Sequence, residues 1–474
     1  MVGIISFGGY VPKYRLGADT LGWHSSQERS VANFDEDTVT MGVAAGYECI
    51  KGFDRKQIDG LIFATTTPPY SEKQCASIAA EALDLSNSLF TSDVTDVLKC
   101  GTSALRSAFD AISAGSCNQI LVIVSDSRQG PPRSETERNA GDGAVGFLVG
   151  AHNVIAEYEG FYSVSRNILD NWRSSGDPFV RTWEDRFAVE EGLESVLDDA
   201  ISGYLSKYNL HPTDFAKLAL YAPDARRHTA LALGLGFNQD QIEDPMFGQI
   251  GNLGSAFAPL LLAKALEDRL EGDRILVASY GDGSDILGFK TTKDTKLASD
   301  LLGVTGHVES KEILESYETY AKWRSVWDVD GGSRRPDPQS PSATALWREG
   351  EKNIRLYGSK CDSCGYIQYP TQTVCVNCQS RDGHSSVRFS DQTGSIFTYS
   401  MDYIAGSVDV PLVITVVNFV DGGRILCMMT DREIDEVHIG MPVQMSFRKL
   451  RVVNGIHNYY WKSIPMRGVV NARN

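Results

Sequence analysis

Nine cysteines are the residues of this 474-residue chain best suited to covalent or metal chemistry. One of them, Cys100, lies in the stretch Asp93–Leu105, where a Gly-Thr-Ser turn precedes apolar residues at helical spacing. Free N–H groups at a helix N-terminus favour negative charge, so this position suits an activated thiol or an oxyanion. The alternative is that Cys100 is a small buried hydrophobic residue.

Four other cysteines form two CxxC pairs, Cys361/Cys364 and Cys375/Cys378, with ten residues between the pairs. Each pair can present two thiolates from one knuckle, and two knuckles complete a tetrahedral four-thiolate site. Gly365 fits a knuckle turn that needs a positive φ. A redox role is the alternative, but two pairs at this spacing favour structural zinc. Because four thiolates close the coordination sphere, we expect this zinc to have no catalytic role.

The elements that must position Cys100 alternate between strand-like and helix-like segments. Strands are predicted at 4–7, 60–64, 120–124, 143–150, 218–221 and 275–280, and helices at 37–50, 104–112, 193–208, 228–235 and 256–270. This alternation predicts an α/β layered architecture. The order of the elements occurs twice, which predicts two similar halves.

The chain changes character after residue 300. Residues 310–327 are predicted to be helical, and the Pro/Gly/Ser-rich segment 331–341 is predicted to be a linker. Five short strands with Gly-rich turns follow the cysteine pairs, at 395–399, 412–417, 424–428, 443–447 and 459–462, and they fit a small barrel. The expected domains are two halves at 1–165 and 166–300, a helical segment and linker at 301–350, a zinc ribbon at 351–385 and a barrel at 386–474.

Composition limits the partners and the compartment. The net charge of −16 argues against nucleic acid as a partner. We expect no membrane partner, because no apolar run reaches spanning length, and the N-terminus lacks the pattern of a secretory signal. Cysteines divided between a metal motif and free thiols are typical of a reducing cytoplasm, where we expect the protein to be located.

Several of these stretches resemble known families. Residues 35–41, 101–105, 139–150, 251–252 and 279–283 resemble the 3-hydroxy-3-methylglutaryl-CoA synthase branch of the thiolase superfamily, near ketoacyl synthase III. Residues 345–474 resemble the zinc-ribbon/OB-fold domain that accompanies thiolase-superfamily proteins, on the stretches Leu356–Cys361 and Tyr459–Pro465. The resemblance implies a five-layered thiolase-like α/β fold, followed by a rubredoxin-like zinc ribbon and a small OB-fold β-barrel.

The resemblance also implies partners. Its enzymes act on acyl groups carried as thioesters, so we expect an acyl-CoA or an acyl-carrier protein as the substrate carrier. It further implies a homodimer, since this superfamily usually dimerises. The zinc-ribbon/OB-fold domain usually occurs as a separate subunit, which makes a thiolase-type protein a further candidate partner.

The catalytic positions of the resembling enzymes are altered in this chain. Those synthases use a Cys, a His and a Glu, and the matching positions here are Leu98, Tyr221 and Thr66. Cys100 lies two residues after the Cys position, and Asn252 matches an active-site Asn of ketoacyl synthase III. The catalytic candidates are therefore Cys100, Tyr221 and Asn252.

Three hypotheses account for the altered trio. Cys100 can replace the nucleophile in an ordinary acyltransferase or condensing enzyme. Alternatively, no acyl-enzyme forms, and Tyr221 acts as the acid or base of aldol chemistry on an acyl-CoA, in a condensing enzyme or a retro-aldolase-type lyase. The third hypothesis is a non-catalytic scaffold or carrier-binding protein. Tyr221 as a packing residue and Asn252 as a turn former are the structural alternatives.

Overall fold

The chain divides into two compact units. The computed structural model describes residues 1–267, 269–293, 301–327 and 340–468. Unit 1 comprises Met1–Ala32, Asp37–Ala80 and Leu85–Tyr320, and unit 2 comprises Asn33–Glu36, Glu81–Asp84 and Ala321–Asn474. Residues 331–339 of the predicted linker lie outside the described residues. No helix in these ranges is both long and apolar enough to cross a bilayer.

Unit 1 is built on one nine-stranded sheet. The strands of unit 1 are β1 (Gly3–Tyr10), β2 (Tyr14–Leu16), β3 (Arg29–Val31), β4 (Gly60–Ala64), β5 (Phe90–Val94), β6 (Gln119–Ser127), β7 (Asp142–Gly150), β8 (Ala156–Ser165), β9 (Asn171–Trp172), β10 (Arg181–Thr182), β11 (Lys217–Leu220), β12 (Arg274–Tyr280), β13 (Gly283–Thr291) and β14 (Glu312–Ile313). The order in the nine-stranded sheet is β11-β12-β13-β8-β1-β7-β6-β4-β5. The remaining strands form a small sheet β14-β2-β3 and the pair β9-β10.

Helices alternate with these strands. They are α1 (Thr38–Cys49), α2 (Cys75–Ala82), α3 (Cys100–Ser113), α4 (Glu135–Asn139), α5 (Asp185–Phe187), α6 (Ser195–Tyr208), α7 (Ala225–Gly234), α8 (Phe257–Leu266), α9 (Gly303–Glu309) and α10 (Tyr317–Trp323). A π-helical segment, Ala188–Glu194, joins α5 to α6. Short 3-10 helices lie at Arg55–Gln57, Pro212–Asp214, Gln239–Gln241, Gly254–Ala256 and Ile434–Glu436.

The start of α1 shows how local sequence sets an element boundary. The Asp37 side chain accepts a hydrogen bond from the Thr40 N–H at 3.0 Å, and the Thr40 hydroxyl accepts one from the Asp37 N–H at 2.8 Å. This reciprocal capping box satisfies two N–H groups that the helix leaves unpaired. The helix predicted from residue 37 therefore begins at Thr38.

Two similar halves make up the large sheet, as the order of elements predicts. In the first half β4 is parallel to β6, and β7 runs antiparallel to both β6 and β1. In the second half β11 is parallel to β12, and β13 runs antiparallel to both β12 and β8. The halves join through β1 and β8, where Gly3 pairs with Glu157 and Ile4 with Ala156.

Helices complete a five-layered arrangement. Helices α3 and α8 contact strands of both halves, so they form the middle layer. Helix α1 packs on β1, β6 and β7, and α6 packs on β8, β12 and β13, so these two helices form the outer layers. The middle helices carry fully buried apolar side chains such as Leu105, Phe109 and Leu260. Burial of this continuous core stabilises the packing of the layers and fixes the ends of the strands that carry the candidate residues.

The prediction of one helix over 310–327 is wrong. Glu312–Ile313 form strand β14, which pairs in parallel with Tyr14 and Arg15 of β2, and only Tyr317–Trp323 are helical. The strand pairing satisfies backbone groups that a helix would have satisfied internally, and no local sequence signal reports such a distant partner. The helix predicted at 256–270 is also shorter than expected, since α8 ends at Leu266.

Unit 2 contains a three-stranded ribbon sheet and a closed barrel. Its helices are α11 (Ala343–Arg348) and α12 (Gly350–Asn353), and its strands are β15 (Tyr357–Cys361), β16 (Ile367–Gln368), β17 (His384–Arg388), β18 (Thr393–Asp402), β19 (Leu412–Phe419), β20 (Arg424–Met429), β21 (Pro442–Val453) and β22 (Ile456–Pro465). The barrel order is β18-β19-β20-β22-β21, which confirms the expected five strands. Asn454 and Gly455 both have positive φ, as a tight turn between β21 and β22 requires.

A buried ion-pair network lies within unit 2. The guanidinium of Arg448 contacts the carboxylates of Asp35 at 3.3 Å and Glu36 at 2.9 Å, and Lys462 contacts Asp35 at 2.7 Å. All four side chains are almost fully buried. Buried charges are tolerated when they are paired and hydrogen-bonded in this way.

Candidate functional site

A cavity of about 290 Å³ opens in unit 1 and collects residues from separate parts of the chain. Its walls include Arg128 after β6, residues 134–140 around α4, and parts of the segment 170–193. The second half of the fold contributes Tyr221, Asn252 and Tyr280. The ends of parallel strands and the turns that follow them commonly form ligand sites in α/β proteins.

Tyr221 is placed at this cavity by the end of β11. Its N–H donates to the Ala278 carbonyl at 2.8 Å, which extends the pairing of β11 with β12 by one residue. Its ring stacks on the ring of Tyr280, with 6.1 Å between the ring centroids, and makes an edge contact with Phe257, with 6.0 Å between the centroids. Burial raises the pKa of Tyr221, and this effect is opposed by the positive charge of Arg128 and by the polar amide of Asn252. The phenol is therefore protonated at neutral pH and acts as a hydrogen-bond donor or acid.

Asn252 lies beside Tyr221 and is held rigidly. Its Nδ2 donates to the Ala222 carbonyl at 2.9 Å, and its Oδ1 accepts from the Gly254 N–H at 2.8 Å. Gly254 has a φ of +60°, and a Cβ there would lie 2.4 Å from Oδ2 of Asp126. The turn therefore needs glycine at this position, and the rigid turn fixes the amide of Asn252 next to the phenol.

Cys100 is the first residue of α3 but is not among the residues that line the cavity. Its thiol is fully buried. Burial raises the pKa of Cys100 well above its usual range, and the negative charge of Asp126 raises it further. The structure thus brings Tyr221 and Asn252 together at the cavity and leaves Cys100 in the core beneath it.

The carboxylate of Asp285 binds side chains of the N-terminal turn of α3. Asp285 accepts hydrogen bonds from the hydroxyls of Ser103 at 2.8 Å and Thr102 at 3.3 Å, and it pairs with Lys99 at 3.0 Å. The expected preference of this helix end for an anion is therefore met by Asp285, a residue of β13.

The other two altered positions have structural roles. Leu98 is buried in the hydrophobic core. The Thr66 hydroxyl donates to Oδ2 of Asp126 at 2.9 Å, and the Thr66 N–H donates to Oδ1 of the same carboxylate at 2.7 Å. Asp126 is itself fully buried and also accepts from the Ser255 N–H at 2.8 Å. It accepts hydrogen bonds from backbone N–H groups of two turns, and the second of these turns begins at the cavity residue Asn252.

Arg128 and Tyr280 are among the polar residues of the cavity that sequence analysis missed. Both follow or end apolar strand runs, so the signal available was a polar residue at the end of a buried strand. Burial raises the pKa of Tyr280 well above its usual range, and the nearby carboxylate of Asp170 raises it further.

The four cysteines of the CxxC pairs meet at one point. Their Sγ atoms all lie within 4.8 Å of one another, with 3.7 Å between Cys361 and Cys378 and 3.6 Å between Cys364 and Cys375. Gly365 has a φ of +75°, as expected for the first knuckle. Four thiols at these separations match the ligand set of a structural zinc ion.

His228 on α7 provides a pH-dependent contribution to stability. Burial lowers the pKa of His228 to about 4, although the Leu220 carbonyl and Asp244 partly oppose the shift. The unfolded chain takes up this proton near pH 6.5 and the folded chain does not, so stability falls as the pH drops from about 6.5 towards 4. We expect His228 alone to cost about 2 kcal/mol of the unfolding free energy between pH 7 and pH 5.

Urea unfolding of the wild-type and His228→Gln proteins at both pH values measures this contribution. The variant should lose less stability on acidification than the wild type, even if it is less stable at pH 7. The exposed His152→Gln change is the control and should leave the pH dependence as in the wild type. If the unfolding free energy of all three proteins depends on pH in the same way, His228 does not stay neutral on folding and the prediction is wrong.

Comparisons with known proteins agree with this architecture. The family model described as "ChsH2, rubredoxin-like zinc ribbon domain" matches residues 348–382, and "ChsH2, C-terminal OB-fold domain" matches residues 386–448. Among solved structures, the curacin-pathway HMG synthase in complex with holo donor-ACP has a TM-score of 0.60 at 21% identity, over 68% of this chain and 88% of that chain. The fold is thus thiolase-like, with a C-terminal zinc ribbon and OB-fold barrel.

Similarity to proteins of known family is shown by two archaeal relatives. The hydroxymethylglutaryl-CoA synthase of Methanocaldococcus jannaschii is 31% identical over 342 residues, which cover 68% of this chain and 99% of the relative. That of Pyrobaculum arsenaticum is 32% identical over 343 residues, which cover 69% of this chain and 98% of the relative. On the strength of these matches, the chain belongs to the hydroxymethylglutaryl-CoA synthase family, with a zinc ribbon and an OB-fold barrel added to the condensing-enzyme scaffold.

Proposed function

We propose that this protein makes or breaks a carbon–carbon bond in an acyl thioester without forming a covalent acyl-enzyme. The observation that supports this most directly is the placement of the candidate residues. Tyr221 and Asn252 line one cavity, whereas the Cys100 thiol is fully buried and is absent from the lining. An acyl-enzyme needs an accessible thiolate, and burial of Cys100 disfavours both access and ionisation.

Tyr221 is the acid in the proposed reaction. In the condensation direction, the enolate of the thioester attacks a carbonyl carbon, and the carbonyl electron pair moves to its oxygen. That oxygen takes the phenol proton of Tyr221, and the proton lost from the α-carbon restores the phenol through water. Cleavage of a β-hydroxyacyl thioester is the reverse. The amide of Asn252 lowers the pKa of the phenol and so strengthens it as an acid.

The carrier of the acyl group is CoA or an acyl-carrier protein. Related structures are described as an HMG-CoA synthase complexed with CoA and as a curacin HMG synthase in complex with donor-ACP. We extend both possibilities to this chain as a proposal. We also propose a homodimer and a structural zinc at the four cysteines. Since none of the nine cysteines, all of which lie in the described ranges, forms a disulfide, we further propose a cytoplasmic location.

A covalent route through Cys100 is the second candidate function. It is favoured by the position of Cys100 at the first turn of α3, where free N–H groups stabilise a thiolate. In this route the acyl group passes from CoA to the thiol, and CoA leaves before the carbon–carbon bond forms. The two candidates therefore differ in whether acyl transfer to the protein occurs.

The mass of the intact protein after incubation with acetyl-CoA, and separately with acetoacetyl-CoA, distinguishes them. We expect no adduct, because the buried thiol of Cys100 is neither ionised nor accessible. The Cys100→Ala protein is the matched control, since it lacks only the sulfur. An acetyl adduct on the wild type that is absent from Cys100→Ala would establish the covalent route and overturn the proposal.

A further inference from the structure

Arg128 brings to the cavity a guanidinium group that forms no ion pair with the residues that the structure describes. Its side chain lines the cavity together with Tyr221 and Asn252. Its Nε is buried and has no hydrogen-bond partner in the ranges that the structure describes. None of the ion pairs in those ranges involves Arg128. By contrast, Arg227 at the same cavity is paired with Asp224 at 2.7 Å.

Local structure makes room for this arginine. The Arg128 side chain packs closely against the backbone of Gly254. A Cβ at residue 254 would lie only 2.7 Å from the Arg128 Cδ, so the glycine provides the space. A buried donor without a partner costs free energy in the free protein. Unpartnered buried donors are few in native structures, and a catalytic role is one of the explanations for them.

The cavity carboxylates are occupied elsewhere or lie in solvent. Asp170 accepts from the Asn171 N–H at 2.6 Å, and its charge acts on the phenol of Tyr280 by raising the pKa of that group. Glu135 is exposed. Neither residue is an ion-pair partner of Arg128, so an anionic group of a ligand can approach the guanidinium without displacing a protein carboxylate.

Arg128 also acts at the same end of the cavity as the proposed acid. Its positive charge lowers the pKa of Tyr221 and so opposes the effect of burial. The packing agrees with this, because the Arg128 Cδ lies against Gly254, and the Gly254 N–H donates to Oδ1 of Asn252, the residue beside Tyr221. The negative charge that develops on substrate atoms next to Tyr221 would therefore lie close to Arg128.

Resting on the proposed carbon–carbon chemistry, we propose that Arg128 is a further catalytic residue, whose guanidinium stabilises the oxygen of the thioester enolate. When the enolate forms, the C–H bond at the α-carbon breaks and its electron pair becomes the new C=C bond. The carbonyl π pair moves to oxygen, and the proton passes to water. A fixed cation at that oxygen stabilises the enolate more than the neutral thioester.

Exchange of the α-protons of acetyl-CoA in D₂O tests this role without the second substrate. Mass spectrometry follows entry of deuterium into the acetyl methyl group. We expect Arg128→Gln to lower the exchange rate at saturating acetyl-CoA by about 100-fold or more, the scale for loss of one charge-stabilising donor. Arg128→Lys keeps the charge but loses the planar fork, so we expect a smaller loss of about 10-fold.

The matched control is Arg226→Gln, which removes the same charge from an exposed position outside the cavity lining and should exchange as the wild type does. Binding of acetyl-CoA, measured separately by calorimetry, should change less than about threefold in Arg128→Gln, since the enolate and not the thioester carries the charge. Melting temperatures of all variants verify that they fold, and Arg128→Lys keeps the stem if Arg128→Gln is unstable.

The outcomes separate the two proposals. If Arg128→Gln exchanges at the wild-type rate while Tyr221→Phe loses turnover, the role of Arg128 is overturned and the proposed function stands. Weaker acetyl-CoA binding with an unchanged saturated rate would also overturn it, because that result assigns Arg128 to ground-state binding. If the wild type exchanges neither acetyl-CoA nor acetoacetyl-CoA, no enolate forms, and both proposals are overturned.

Discussion

Turnover of the acyl-thioester substrate is expected to fall by about 100-fold or more in the Tyr221→Phe protein, the usual scale for an acid–base group. The change removes one hydroxyl and keeps the ring. Stacking on Tyr280 and the edge contact with Phe257 involve only the ring, so the wall of the cavity should keep its shape. The loss should appear in kcat more than in KM, because the proton is transferred in the transition state.

Cys100→Ala provides the decisive comparison. Without a covalent intermediate, this variant should keep substantial activity, apart from a small loss of packing where the buried sulfur is removed. Tyr204→Phe is the control for the loss of a buried phenol, since Tyr204 is fully buried on α6 and does not line the cavity. It should turn over substrate as the wild type does.

Two results would contradict this assignment. Loss of all turnover in Cys100→Ala with full activity in Tyr221→Phe would place the chemistry at the thiol. Full activity in both variants would show that the reaction does not take place in this part of the cavity. If the wild type neither binds nor converts any acyl-CoA, the scaffold hypothesis becomes the better description of this chain.

Zinc removal is expected to unfold the ribbon, because small metal domains obtain most of their folding energy from the ion. Binding of zinc to four thiolates contributes on the order of 10 kcal/mol or more in such domains. Protein purified without chelator should contain one zinc per chain. The Cys364→Ser change should lower the zinc content and make residues 351–385 sensitive to protease.

A second cysteine provides the control for this change. Cys117→Ser alters a partly exposed thiol of unit 1, far in sequence from the CxxC pairs, and should leave the zinc content at one per chain. Cobalt substitution offers an independent measurement, since four thiolates around cobalt give intense charge-transfer absorption. Well under one zinc in unchelated wild-type protein would rule out the metal site.

Local patterns were sufficient for most of the elements and for the metal site. The run Gly60–Ala64 is the strand β4 with the same bounds, because a short, fully apolar segment bounded by polar residues is stable only as a buried strand. The cysteine pairs were predictable because knuckle geometry depends on residues that are close in sequence. The five barrel strands were predictable for the same reason, since Gly-rich turns separate alternating segments.

The sequence by itself therefore determined the α/β class, the duplicated order of elements and the four cysteines of the zinc ribbon. Only the tertiary structure decided which polar residues share a cavity. Arg128, Tyr221 and Asn252 are separated by up to 124 residues and meet because the two halves of the sheet pack on common middle helices. The depth of Cys100 and the strand at Glu312–Ile313 were likewise decided by distant partners, since burial and strand pairing depend on contacts that no local pattern contains.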